Sequence, residues 1–481
     1  MASVALRGAL AVALGISASA PAGAAEIDEV RQSIRELRSE YQGRIAELEA
    51  RLAAAEADAG DVDESRGPGA SAVDTLRRGY RAVTSGNQFN PQISVILNGN
   101  YFQDNVDGET SELLEEAFQA GAGHGHGEEE GHGHGAAEPG FNFREAELWF
   151  GGTVDPYFDL SSTLSVASDG DVELEEAYFQ TRGLPAGFKL KAGKFFSDIG
   201  YINRQHPHEW DFTDQNLVHL NLFGFNLADT GAQLTWLPPL PVYTLLGVEL
   251  LQGEQERFGA LVEDEEEREE LALDDEKDGP RLVTGFAKIS PDLGFNHALQ
   301  IGGFIAHARQ SQAIGEIEEE EAGFEGDSTL FGADLVYKYD APGAYGAGDF
   351  LLQSEYLRRR NDFSVSAFED DPTLVGRSRD FTTDGFYIQA RYGFWPRWQF
   401  GARYDAFGLT NKAEGVGGDE SFERSDRWTL ALTYRPTEFS MLRLHGATAD
   451  IVTGEDGSSE DFEYVFLQYI LTLGAHGAHK F

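Results

Sequence analysis

Two glycine–histidine tracts carry the densest potential chemistry in this chain. Gly123-His124-Gly125-His126-Gly127 and Gly131-His132-Gly133-His134-Gly135 flank Glu128, Glu129 and Glu130. Neutral imidazoles suit zinc, copper and nickel, and glycine lets the backbone wrap an ion. Four histidines and three glutamates exceed one coordination shell, so the expected binding is fluxional and weak. The bland reading is a solvated low-complexity segment, since Gln103–Phe141 holds ten acidic residues and no Lys or Arg. A second set is His206-Pro207-His208-Glu209. Histidines two apart share one side of an extended segment, and with Glu209 they suit a borderline site of imidazole and carboxylate. Read plainly, they are exposed loop histidines. No cofactor is required by either set; zinc or another divalent cation is the candidate ligand.

Charged residues inside otherwise apolar alternation form the third group. Arg391, Arg403, Arg435 and Arg443 fall opposite the main apolar set of their segments, as do Glu145, Glu147, Asp334 and Lys338. Arginines facing carboxylates across a constriction create a transverse field that orients polar solutes. The alternative is that the arginines neutralise buried carboxylates and hold a wall together. Both readings depend on the elements that aim these side chains.

Those elements are strands. Trp398, Phe400, Ala402, Tyr404 and Ala406 interleave with Gln399, Gly401, Arg403 and Asp405, and Trp428, Leu430, Leu432 and Tyr434 repeat the pattern. A period of two sends one set to each face. About sixteen such segments follow residue 90, each of the length a tilted membrane strand needs. Their connections alternate. Tight gaps such as Asp155-Pro156, Trp395-Pro396 and Pro436–Glu438 follow the even strands. Long gaps follow most odd ones: Gln103–Phe141, Ser197–Phe225, Gln252–Arg281, Arg309–Asp327, Arg360–Phe381 and Thr410–Ser425. A soluble sandwich has no reason for this alternation. Short periplasmic turns opposite long external loops describe an all-β transmembrane barrel of about sixteen antiparallel strands, apolar outside and polar within. Ser197–Phe225, with Tyr201, Trp210, Phe212, Asp211 and Asp214 beside the histidines, is the loop expected to fold into the lumen.

The remaining chain divides into three parts. Residues 1–24 read as a signal peptide: a basic start at Arg7, an apolar run too short to span a bilayer, and Ala22-Gly23-Ala24. Residues 25–57 place Ile27, Val30, Ile34, Leu37 and Tyr41, then Ile45, Leu48, Leu52 and Ala55, on a heptad seam with a stutter. This predicts a short periplasmic coiled-coil helix rather than a helix packed on a neighbour. Residues 58–86 read as a linker and 87–481 as the barrel. With no cysteine, thiolate and disulfide chemistry are excluded. A net charge of −45 argues against nucleic acid and favours cations nearby.

The last strand, with Val465, Leu467, Tyr469, Leu471 and Leu473 alternating before a terminal Phe481, resembles those of bacterial outer-membrane proteins. The whole layout resembles trimeric porins of the phosphate-selective and sugar-porin type. His206-Pro207-His208-Glu209-Trp210 and the closing Ala475-His476-Gly477-Ala478-His479 are also similar to a family labelled zinc-regulated or TonB-dependent outer-membrane receptor. A receptor of that kind implies a plug domain and about 22 strands, and the helix and linker do not supply a plug. The acidic runs Glu263–Glu270 and Glu316–Glu321 depart from phosphate selectivity, because they gather cations at the mouth. No HExxH, nucleophile elbow or phosphate loop occurs, so an enzyme is not expected. The expectation is an outer-membrane porin of a Gram-negative bacterium, in contact with lipid and homotrimeric, that attracts cations and favours divalent metals such as zinc. The rival expectations are a structural protein tethered to peptidoglycan and a gated metal receptor.

Overall fold

The computed structural model describes residues 92–115, 117–120, 137–262, 264–274, 279–317, 320–368, 371–454 and 457–474. The signal segment, the helix and linker, both glycine–histidine tracts and residues 475–481 lie outside the described residues.

Seventeen strands form one antiparallel sheet. In chain order they are β1 Gln92–Asp104, β2 Gly140–Thr153, β3 Phe158–Val166, β4 Val172–Thr181, β5 Phe188–Phe196 and β6 Ala228–Trp236. Next come β7 Tyr243–Leu251, β8 Leu282–Ser290, β9 His297–Ile317, β10 Glu320–Tyr339, β11 Phe350–Phe368 and β12 Ser378–Trp395. Then follow β13 Trp398–Gly415, β14 Glu420–Ser421, β15 Ser425–Thr437, β16 Ser440–Val452 and β17 Ser459–Gly474. The two-residue β14 only edges β13, and β13 pairs directly with β15. Sixteen strands therefore make the wall. β1 pairs β2 on one side and β17 on the other, with Asn98 opposite Ile470 and Glu145. The sheet is closed, so no edge is left with unpaired backbone, which is what a hydrocarbon surround demands.

The expected alternation is borne out in the wall. Trp428, Leu430, Leu442, Leu467, Leu471 and Leu473 are exposed outward, while Arg427, Thr429, Arg443, His445 and Gln468 between them are buried. Cross-strand pairs on the outer face put Trp398 on Tyr434 and Tyr404 on Trp428, both with ring centroids 4.6 Å apart. Such amphipathic rings mark the interface belts of a membrane barrel.

Strand lengths differ from expectation on one side. β3 and β5 to β8 are nine residues each, but β9 to β13 run from 18 to 21. The segments Arg309–Asp327 and Arg360–Phe381, expected as external loops, are largely continuations of the β9–β10 and β11–β12 hairpins, paired through Ala322–Gly315 and Phe363–Arg379. The cause is that alternation still satisfies the hydrogen-bond ladder above the bilayer. There the outward set need not be apolar, so the apolar signal ends before the strand does.

The lumen also departs from a uniformly polar one. Among the described residues, three short α-helices lie outside the wall sequence: α1 Thr110–Glu115, α2 Leu217–Phe223 and α3 Glu265–Glu270. Every residue of α2 is buried. Leu217, Val218, Leu220, Leu222 and Phe223 pack with Phe102, Phe195, Phe304, Leu357 and Phe407 from strands around the barrel. The segment after β5 thus carries its own apolar core into the lumen. Two wall glycines accept rings from the neighbouring strand there: Phe286 lies opposite Gly247 and Phe304 opposite Gly332.

A Cβ at Gly332 would stand 2.0 Å from Phe304 Cζ, whereas Gly303, on the open face, meets only a backbone oxygen at 3.8 Å. Gly332→Val is expected to lower unfolding stability by about 1–3 kcal/mol, the usual cost of overpacking. Gly303→Val should stay within about 0.5 kcal/mol or gain stability. Urea unfolding of the folded barrel, followed by tryptophan fluorescence, checks the difference.

Candidate functional site: the loop inside the barrel

Residues 197–227 leave β5, cross the lumen and return to β6. The base of this loop is tied by Asn203, whose amide donates to the carbonyls of Ser197 (2.9 Å) and Leu227 (3.0 Å) and accepts from Leu227 N–H at 2.7 Å. Polar groups buried in a lumen need partners, and the loop finds them at three places on the wall.

The first is β11. Glu355 accepts from the backbone N–H groups of Tyr201 (3.2 Å) and Ile202 (2.8 Å) and from the Tyr387 hydroxyl (2.8 Å). His219 of α2 stands 3.7 Å from the same carboxylate. Burial pushes this imidazole down to about 3, so it stays neutral and packs against Tyr387 and Phe223.

The second is the arginine-rich wall of β12 to β17. Asp211 binds Arg391 at 2.7 Å. Asp214 binds Arg403 at 2.5 Å and Arg427 at 3.0 Å, and accepts from the Tyr464 hydroxyl at 2.5 Å. Asp405 completes the cluster, reaching Arg403 at 3.0 Å and Arg427 at 3.1 Å. Burial alone would raise the Asp214 carboxyl, but Arg427 and Arg403 hold it well below the usual carboxylate range. Arg443 donates to the Trp210 carbonyl at 2.7 Å and to Gln468 at 2.9 Å. Arg435 is half-buried and makes no ion pair among the described residues. The four arginines expected from the sequence all face inward, staggered in height: Arg391 lies opposite Gly401, Arg403 opposite Thr429 and Arg443 opposite Thr433. Three of them hold the loop in direct contact instead of facing carboxylates across a gap. Arg427 escapes the sequence reading, although its place two residues before Thr429 on the inward set marks it.

The third is β2 and β4. His206 Nδ1 lies 2.8 Å from Glu175 and 3.6 Å from Glu147, and its Nε2 lies 3.2 Å from Glu176. His208 Nδ1 lies 2.8 Å from Glu147. Burial would lower both imidazoles, but these carboxylates raise them, His206 the more strongly. Glu209 lies beside the histidines in the chain and has a second task. Its carboxylate accepts from the His206 backbone N–H at 3.2 Å and caps the short 3₁₀ turn Pro207–Glu209. Glu145 and Glu147 are buried on the inner side of the wall, with Glu145 accepting from Asn98 (3.2 Å) and Ser165 (3.3 Å). Asp334 and Lys338 face the lumen elsewhere: Asp334 accepts from Gln300 at 3.3 Å, and the Lys338 ammonium sits 5.5 Å from the Tyr201 ring centre.

Two β-bulges aim this wall. The β1–β2 pairing jumps from Glu145 to Phe143, which leaves Arg144 extra. Arg144 then donates to the Thr213 carbonyl at 2.9 Å and stacks over Trp210 at 5.5 Å. The β3–β4 pairing skips Glu175 between Leu174 and Glu176, so two successive carboxylates reach the lumen. Bulges are a common means of re-aiming side chains near sites. Adjacent charges, Arg144-Glu145 and Glu175-Glu176, are the signal available in the sequence.

Below the loop, toward the tight-turn end, a cavity of about 490 Å³ is lined by Glu147, Asp159, Glu176, Asp198, Lys191 and Arg204, with His206 and Glu209 at its roof. Asp214→Ala would leave Arg403 and Arg427 buried with half their compensation. Breaking such a pair costs about 3–5 kcal/mol. Urea unfolding should show that loss for Asp214→Ala, and a change within about 0.5 kcal/mol for Asp362→Ala, whose carboxylate is half-exposed on a strand extension.

Residues 309–451 match the family described as Phosphate-selective porin O and P. An uncharacterised protein of Aquifex aeolicus is 35% identical over 398 residues, covering 82% of this chain and 80% of that protein. Among solved structures, a loop-deletion mutant of OmpT, an outer membrane protein of Vibrio cholerae, gives a TM-score of 0.46 at 11% identity, over 80% of this chain and 99% of its own. The outer membrane channel DcaP of Acinetobacter baumannii gives 0.44 at 11%, over 80% and 96%. The chain belongs to the same family as the Aquifex protein and is a porin-type β-barrel of the Gram-negative outer membrane.

Proposed function

We infer that this porin passes small solutes passively and selects for cations, with divalent metal ions such as zinc among those it favours. The observation that carries the reading is the acidic cavity under the inserted loop. Glu147, Glu176 and Asp198 meet there only Lys191 and Arg204 as permanent cations, Lys191 standing 3.7 Å from Asp198, while Asp159 at the rim pairs with Arg182 at 3.4 Å. A cleft with one sign of charge and low-dielectric walls concentrates counter-ions. The positive field of the opposite wall is offset in part, because Asp211, Asp214 and Asp405 stand at contact distance from Arg391, Arg403 and Arg427, while Arg435 and Arg443 meet no carboxylate among the described residues.

The reading is of a channel and not an enzyme. The sequence supports the same sign of selectivity: the glycine–histidine tracts with Glu128–Glu130 are suited to gathering divalent ions, in a chain of net charge −45. The heptad seam of residues 25–57 supports a homotrimer joined through coiled-coil contacts.

Single-channel recording in a planar bilayer under a tenfold salt gradient tests this. Discrete steps with a reversal potential shifted toward the cation are expected. A shift toward the anion would overturn the cation part and favour an anion pore. Silence from correctly folded protein would overturn passage itself.

A further inference from the structure

The joint between the inserted loop and the β2/β4 wall has the composition of a metal centre. One ligand atom each from Glu147, Glu175 and His206 lies within 4.8 Å of the other two, and all three residues are buried. The surroundings are those that metal-bound imidazoles use. While His206 Nδ1 faces Glu175 and Glu147, its other ring nitrogen is held by Glu176 at 3.2 Å. A carboxylate on the far nitrogen fixes the tautomer and raises ligand basicity. Glu147 is in turn held by His208 at 2.8 Å.

Three independent features point the same way. The first is charge. Glu145, Glu147, Glu175 and Glu176 stand on this stretch of wall against two imidazoles and the Lys191 ammonium, so carboxylates remain in excess, four to three, even with both rings protonated. Each buried ion costs several kcal/mol unless compensated. A divalent cation with two carboxylates and one neutral imidazole makes a neutral set. The second is backbone. The bulge at Glu175 interrupts the β3–β4 ladder and brings into the lumen a carboxylate that regular alternation would send to lipid. The third is access: Glu147 and His206 both line the 490 Å³ cavity, which leaves room for water at an open coordination position.

We propose that Glu147, Glu175 and His206 form an intralumenal binding site for a divalent transition-metal ion of the zinc class, at which the ion pins the inserted loop to the wall. Imidazole with carboxylate favours this class over calcium or magnesium, which take oxygen ligands. In a tetrahedral zinc site, bonds of about 2.1 Å set donors about 3.4 Å apart. His206 Nδ1 and Glu147 stand at 3.6 Å, close to that spacing. The 2.8 Å contact between His206 Nδ1 and Glu175 opens slightly as the metal takes the place of the shared proton. The proposal deepens the cation reading above and rests on it only for the route by which the ion arrives.

The test uses the full chain with His124, His126, His132 and His134 changed to Ala, stripped with chelator and titrated with zinc chloride by calorimetry. One zinc per chain is expected, with affinity falling at least tenfold for Glu175→Gln and for His206→Gln. No saturable binding, or one-site binding that neither change weakens, would overturn the site. Zinc-edge X-ray absorption on the unsubstituted site gives an answer free of variant folding. A shell of one imidazole with oxygen donors supports the assignment; several imidazoles, or water alone, contradict it. Conducting channels that bind no zinc would overturn this site alone, while zinc binding in silent barrels would overturn passage and leave the site standing.

Discussion

The inserted loop stays where it is because two buried guanidiniums need a carboxylate that the wall supplies only in part. Arg403 and Arg427 are almost wholly buried, and Asp405 beside them carries one negative charge for two positive ones. Asp214 brings the second from the loop. In a low-dielectric interior an unpaired ion is far more costly than a paired one, so the barrel folded without this loop inside would carry a large electrostatic penalty. The position of Asp214 then sets the path on either side. Upstream, Trp210 and Asp211 meet Arg443 and Arg391; downstream, α2 follows directly and buries every residue it has.

This arrangement divides the interior into regions of different character. The β12–β17 wall is basic in sequence, and Asp211, Asp214 and Asp405 offset that charge at Arg391, Arg403 and Arg427 but not at Arg435 and Arg443. The β2/β4 wall is acidic and faces a cavity. Between them the apolar residues of α2 fill space among rings from many strands. A barrel of this size can hold a wide aqueous channel, and here the loop decides how much of that width remains. Beneath the loop lies the cavity wall, where carboxylates outnumber fixed cations.

Much of this is legible in the chain. A period of two with aromatic-rich outer faces, tight gaps after even strands and a closing strand suffice to specify the barrel, because each is required locally by backbone pairing and lipid. The inward direction of Arg391, Arg403, Arg435 and Arg443 follows from the same period, as does that of Glu145 and Glu147. What stays hidden depends on contacts distant in sequence or on broken periodicity. The partners of the arginines are Asp211 and Asp214, about 180–210 residues away in the chain. Glu175 joins His206 only through a bulge, and Glu209, next to the histidines, is drawn into capping a turn. The long hairpins of β9 to β13 look like loops in the sequence because hydropathy stops reporting once a strand leaves the bilayer.

The central claim is that carboxylate–arginine pairs hold the loop in the lumen and so set what the channel admits. The most direct measurement is the unit conductance of the double variant Asp211→Asn with Asp214→Asn, recorded from folded barrels beside the parent protein. A larger unit step with added flicker is predicted, since the loop would lose its ionic hold while keeping its shape. An unchanged, steady unit conductance would show that the clamp does not govern the pore.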